Sequence, residues 1–545
     1  MISFIIVIAL ICFGLAYKYY GRWLNQYFLT DKDEEMPSIY LRDDMDYFPA
    51  PFGMLFAHHF SSIAGAGAII GPVVAGAMFG WVPALLWIVF GCIFVGGVHD
   101  ISSLAMSLKH DGLSLAEVVQ RTFGRRVHFL ILVVFWISLV LVVAAFLDLT
   151  AITFNEAPAV GFTVTLTVIM AFILGIGIYT FHIGLRNDTF FLLPFFFYAL
   201  YYGAYDGTIY KMFDLSINNW RVAIVGYCYL ASVLPVWLLM EPRDYIASLF
   251  LYFGIAIGVV GMFIVGWQMP TNMLQPFYGW NSINENSYLW PILFITVACG
   301  AVSGAHSLIS GGTTPKQLAK KEQALSVGYG AMLLEGVVGI ISLGTVIING
   351  DFLAQSPLNC FAVGFGRMAQ TLGFEHHLGS VMGFMLVNCL LLTTLDCLTR
   401  VGRYLLQEIT HNRLSSFMAT ALTLLAAIGL VVLESSGKRM WEVIWPMFGA
   451  TNQLIAGITL LLVCLWLLRI KYKKIAFVVF PAIFMLATSF TALVMFVWND
   501  NNLGFLRLLS FILIFLTILL VWAVNAKVNL LKLLVDFVKG RKLEI

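Results

Sequence analysis

The chain has 545 residues, of which 60% are hydrophobic, 15% aromatic and only 11% charged, against about a quarter charged in an ordinary soluble domain. A net charge of +2 provides no basic field to hold nucleic acid, and a mean hydropathy of +0.91 excludes disorder. The lipid bilayer is therefore the solvent for which this sequence is built.

A crossing helix takes about 20 mostly apolar residues. By that measure fifteen segments qualify, at 2–17, 54–80, 81–107, 128–150, 160–181, 189–205, 222–241, 244–267, 291–312, 323–348, 378–400, 414–434, 441–467, 475–498 and 505–526. The first has neither a basic flank nor a small-residue cleavage site and reads as a retained anchor. Behind it, to residue 53, runs a linker whose acidic stretch 31–46 is expected to be solvated and is assigned no chemistry. The semi-polar stretch 351–377 leaves open whether it crosses or re-enters. Residues 527–545 form a basic tail.

Alternate loops differ sharply in charge. With the N-terminus outside and the C-terminus inside, the inner loops 18–53, 108–127, 313–322, 400–413 and 468–474, the tail, Arg186 and Arg243 hold 25 of the 31 Lys and Arg residues. The outer side keeps Lys211, Arg221, Arg367, Lys438, Arg439 and Arg507.

His58 to Pro72, HHFSSIAGAGAIIGP, carries three glycines and a proline inside a segment that otherwise spans. Such a helix breaks, and hydrocarbon tolerates the freed backbone only where it is buried in protein or lines a wet cavity. The expected substrate site is this break, Ala64, Gly65, Ala66 and Gly67, with Ser61 and Ser62 as hydroxyl donors. A tight small-residue helix contact is the competing explanation. Five helices later, 222–241 enters from the opposite side and carries Pro235, so it is the expected opening of an inverted second repeat. On this reading 54–400 is a transport core of two five-helix repeats, with one helix before it and about four after it, over 401–526.

Ionisable residues inside spans are candidates for coupling or gating. His58, His59, His99, Asp100, Arg243, His306 and Asp396 all fall toward the inner half, Glu335 lies near the middle of its helix, and Ser303 and Ser310 share a stripe with His306. A structural network of satisfied polar groups and a proton relay are the two readings. The eight cysteines include no CxxC pair, and HExxH, GxSxG and Walker A patterns do not occur in the sequence. No enzyme activity, cofactor or metal is expected.

Seven blocks in order, HHFSSIAGAGAIIGP at 58–72, GGVHDISSLAMSLKHDGLSLAE at 96–117, PRDY at 242–245, SGAHSLISGGTTPKQ at 303–317, GYGAMLLEG at 328–336, LTTLDCLTRVGRYLLQE at 392–408 and WPMFGATNQL at 445–454, resemble the carbon starvation protein A family. Glu241 precedes Pro242 where the family pattern has glutamine. The resemblance implies an all-α polytopic transporter of the bacterial inner membrane with a leucine-transporter-like 5+5 inverted repeat. It further implies uptake of pyruvate or short peptides with protons. A sodium-coupled carrier of amino acids is the alternative within the class. An ion channel would need an open polar pore, and a membrane sensor an output domain, which the tail does not offer.

Overall fold

The structure, a computed structural model, describes residues 2–29, 35–43, 46–181, 185–268, 274–283, 287–349, 356–432, 440–470, 472, 474–498 and 504–528. Parts of the acidic stretch and of the loop 268–290, the first residues of 351–377, Lys438, Arg439 and nearly all of the tail lie outside these residues. The fold is all-helical, and among the described residues eleven helices are long and apolar enough to cross a bilayer.

The chain enters through α1 (Ser3–Phe28) and reaches a helix broken where the glycines predict, α2 (Phe52–Ile63) and α3 (Gly67–Phe79). Then follow α4 (Trp81–Leu108), the short α5 (Leu115–Phe123) and the 32-residue α6 (Arg125–Glu156). Ser114 and Glu117 form a reciprocal capping box that starts α5, and Gly124, at φ +86°, separates it from α6. A hairpin of α7 (Pro158–Phe181) and α8 (Leu185–Tyr205) leads through α9 (Gly207–Phe213) to α10 (Ile217–Val233) and α11 (Met240–Gln268).

A second broken helix comes next, α12 (Leu289–Thr296) and α13 (Gly304–Ser310), before α14 (Lys321–Ile348) and α15 (Pro357–Gln370). The long α16 (His376–Ile409), α17 (Ser416–Val432), α18 (Met440–Arg469), α19 (Ala476–Trp498) and α20 (Gly504–Val528) complete the bundle.

Two expectations change. The interruption at Pro235 is a corner, not a break within a span: α10 ends at Val233, Leu234 and Pro235 are extended, and α11 starts at Met240. Proline removes an N–H and pushes the residue before it out of the α region, which stops a helix as readily as it kinks one. The repeated discontinuity lies instead at Val297–Ser303, inside the segment 291–312 that hydropathy reads as one span.

The linker exposes its acidic Glu35 and Asp43 and docks through other residues. It is strapped to the basic end of the bundle, where Phe48 N and Ala50 N donate to the carbonyls of Lys316 and Gln317 at 3.1 and 3.0 Å, and Ser38 Oγ donates to Leu318 O at 2.7 Å. Met36, Phe48 and Ala50 are buried there. Burial, with Glu117, Asp46, Asp43 and Asp111 nearby, pushes the Tyr47 phenol up to about 12, so it remains the donor to Asp111 O at 3.1 Å.

The packing repeats itself with opposite polarity. The first half-helix α2 lies on α11, and its counterpart α13 lies on α18. Likewise α6 packs on α10 as α16 packs on α17, and α6 and α16, the two longest helices, pack on each other. Each helix that follows a break contains one π-helical turn, Cys92–Gly96 in α4 and Leu325–Gly330 in α14.

Candidate substrate and coupling site

The two breaks face each other at the centre of the bundle. A methyl added at Gly67 would stand 2.5 Å from Cys299 Sγ, and one at Gly71 would stand 2.5 Å from the carbonyl oxygen of Thr296. Only glycine permits this approach of α3 to the second break. Gly65 meets the Phe146 ring of α6 at 3.2 Å and Thr394 Oγ1 of α16 at 3.5 Å, measured from the same notional methyl. Thr394 Oγ1 donates to Leu390 O at 2.9 Å and lies 3.3 Å from the carbonyl oxygen of Ser62. The second break, α6 and α16 therefore converge on residues 64–67.

At the first break the amides of Ala64 and Gly65 donate to the carbonyls of Phe60 and Ile63, at 2.9 and 2.7 Å. Ser61 Oγ turns back to Ala57 O at 2.7 Å, whereas the buried Ser62 Oγ has no hydrogen-bond partner. The two predicted hydroxyl donors are thus not equivalent, because an i−4 carbonyl is within reach of one and takes it up.

The second break is held open from α18. Asn452 Oδ1 accepts from the Ala305 amide at 3.0 Å, and its Nδ2 donates to Ser303 Oγ at 3.0 Å. Gln453 Nε2 donates to the carbonyl of Phe294 on the other side of the gap. One adjacent amide pair thereby satisfies backbone groups that the interrupted helix leaves orphaned, as burial in an apolar medium demands.

The ionisable candidates sort into two buried chains. In the first, His58 Nδ1 of α2 meets Asp244 Oδ2 of α11 at 2.6 Å, and Asp244 is paired with Arg243. Arg243 reaches Asp396 Oδ2 of α16 at 3.1 Å, and Tyr227 of α10 donates to the same carboxylate at 2.7 Å. In the second, His99 Nδ1 and Asp100 Oδ1 of α4 are 2.7 Å apart, and Asp100 Oδ2 meets His306 Nδ1 of α13 at 2.9 Å. His306 Nε2 then stands 3.3 Å from Glu335 Oε2 of α14. His59 stands apart, with Nδ1 2.7 Å from Thr314 Oγ1, and Ser310 Oγ is buried without a partner. Among the described residues no three His, Cys, Asp or Glu side chains are grouped to hold a metal, and the eight cysteines are free thiols.

Asp244, Tyr227 and Asn452 belong to the site but were not among the sequence candidates. Asp244 adjoins Arg243 in PRDY, and Asn452 stands in WPMFGATNQL, so the blocks contain both without saying what they touch. Tyr227 has no signal beyond a helical position. Buried ions need their partners, and removing one strands the other at a cost of about 3–5 kcal/mol. Asp244→Ala is accordingly expected to lower the thermal midpoint of the detergent-solubilised protein by several degrees; an unchanged midpoint would show that Arg243 does not depend on it.

A family model described as carbon starvation protein CstA matches residues 2–354 and 349–492. The peptide transporter CstA of Escherichia coli K12 is 31% identical over 89% of this chain and 80% of its own length. The Bacillus subtilis peptide transporter CstA is 31% identical over 86% of each chain. The pyruvate/proton symporter BtsT of Escherichia coli K12 is 28% identical over 91% of this chain and 82% of its own. Among solved structures, a manganese transporter from Eremococcus coleocola is similar with a TM-score of 0.52 at 12% identity, covering 89% of this chain and 98% of that one. At that identity the likeness concerns the fold, which is leucine-transporter-like.

Proposed function

The chain belongs to the carbon starvation CstA family of membrane transporters, and from that premise we propose that it imports a small carboxylate such as pyruvate, or a short peptide, together with protons. The observation that carries this reading is the joining of the two helix breaks to a buried chain of imidazoles and carboxylates. His306 lies on α13, directly beyond the second break, and is tied to Asp100 and Glu335 on the helices that follow each break. A substrate seated between the breaks moves α13, and a moved α13 changes which of these groups keeps its proton. The substrate carboxylate meets the amides of Ala66 and Gly67 at the start of α3, with Ser62 Oγ beside them, because a helix N-terminus and free N–H groups favour an anion.

The mirrored packing supports a core of two five-helix units over 52–469, wider than 54–400, with α7 to α9 inserted in the first unit. One helix then precedes the core and α19 and α20 follow it. The chain of His58, Asp244, Arg243, Asp396 and Tyr227 ties α2 to three other helices on the basic side of the break and acts as the inner gate. By the charge bias of the loops, the protein sits in the bacterial inner membrane with its N-terminus outside and its tail in the cytoplasm. Single-cysteine labelling in a cysteine-free background checks this: a probe near Lys320 is expected to be unreachable from outside intact cells, and labelling there would reverse the orientation.

Uptake of labelled pyruvate and of a dipeptide into proteoliposomes tests the function. An inward proton gradient is expected to drive accumulation of one of them above the external concentration. Accumulation that follows a sodium gradient and ignores pH would favour the sodium-coupled carrier instead.

A further inference from the structure

Away from the transport pathway, a cavity of about 710 Å³ opens at the basic end of the bundle, where the start of α6 meets the end of α16. Arg125, Arg126, His128 and His411 line it, with Glu408 as its acidic group. Glu408 is already engaged, because its Oε1 pairs with His128 Nε2 at 2.6 Å, a contact that bridges α6 and α16. Arg125 and Arg126 are exposed, and neither has an ion-pair partner among the described residues. The positive end of the α6 dipole points to the same place. One wall is apolar: Phe129 is 49% exposed and Leu130 half-buried, at the level where the apolar part of α6 begins.

An unpaired double arginine beside an exposed aromatic wall matches a molecule with an anionic head and hydrocarbon tails. We propose that this cavity binds one anionic phospholipid per chain, its phosphodiester between Arg125 and Arg126 and its acyl chains along Phe129. The bound lipid braces the joint between α6 and α16, the two long helices that form one side of the transport site. A free phosphate would leave the apolar wall without a partner and most of the cavity unfilled.

The full-length protein purified in detergent is titrated with phosphatidylglycerol, phosphatidylcholine or inorganic phosphate, and retained lipid is counted by native mass spectrometry alongside the thermal midpoint. One phosphatidylglycerol per chain is expected, with a raised midpoint, while phosphatidylcholine and phosphate leave the midpoint unchanged. Arg125→Ala/Arg126→Ala is expected to weaken retention at least tenfold, whereas Lys18→Ala/Arg22→Ala, which removes the same charge from exposed positions on α1, changes it less than twofold. Three results would each overturn the proposal: unaltered retention in the arginine variant, equal loss in both double variants, or equal stabilisation by inorganic phosphate.

Discussion

Glu335→Gln is expected to exchange substrate across a membrane at within about threefold of the wild-type rate and yet fail to concentrate it. Each pH unit can drive about a tenfold accumulation for one proton per substrate, since a tenfold ratio corresponds to about 1.4 kcal/mol. The whole of that factor should vanish. Glu335 is fully buried, and neither of its carboxylate oxygens has a hydrogen-bond donor, the nearest charged group being His306 at 3.3 Å. A carboxyl without water must either carry a proton or balance a charged neighbour, so its state is tied to that of His306 and hence to the placement of α13. Glutamine keeps the shape and a polar contact with His306 but transports no proton. Exchange involves no net proton movement and survives. Accumulation that persists in the variant would assign coupling to His306 or Asp100 alone, or to a bound cation.

The second large effect is expected at Gly67. An added methyl there would lie 2.5 Å from Cys299 Sγ and 2.7 Å from Cys299 Cβ, so Gly67→Ala forces the two breaks apart, an overpacking that costs about 1–3 kcal/mol. Substrate affinity should fall at least tenfold while membrane insertion is unaffected, and Gly67→Val should abolish binding. Because the clash is with the Sγ and Cβ of one side chain, while its Cα lies at 3.9 Å, Gly67→Ala/Cys299→Gly should recover most of the loss, a non-additivity expected only of residues in contact. Gly65→Ala, which meets the edge of the Phe146 ring at 3.2 Å, should be milder. If Gly67→Ala binds substrate as tightly as the wild type, the junction of the breaks is a structural seam and not the binding site.

The first break was legible because glycine and proline announce it within a dozen residues, and the ionisable residues were legible because charge inside an apolar run stands out. What could not be read was which helix each one faces. His306 and Asp100 are 206 positions apart, and a 3.6-residue period identifies the face of a helix but not its neighbour. The second break escaped for a related reason: Asn452, far along the chain, supplies the amide partner that lets α13 begin at Gly304, while the louder signal at Pro235 marks only a corner. In the linker the acidic composition speaks only for its own side chains, Glu35 and Asp43 being exposed, and says nothing of Phe48 and Ala50, whose backbone bonds strap the segment to Lys316 and Gln317.

Substrate between the two breaks and a proton on the chain of His99, Asp100, His306 and Glu335 are expected to move together. This coupling is tested most directly by adding substrate to proteoliposomes with no imposed gradient and following external pH. The medium is expected to turn alkaline as substrate enters, with protons and substrate in a fixed ratio, and the signal to disappear in Glu335→Gln although exchange continues. Substrate entry with no change in external pH would contradict the coupling.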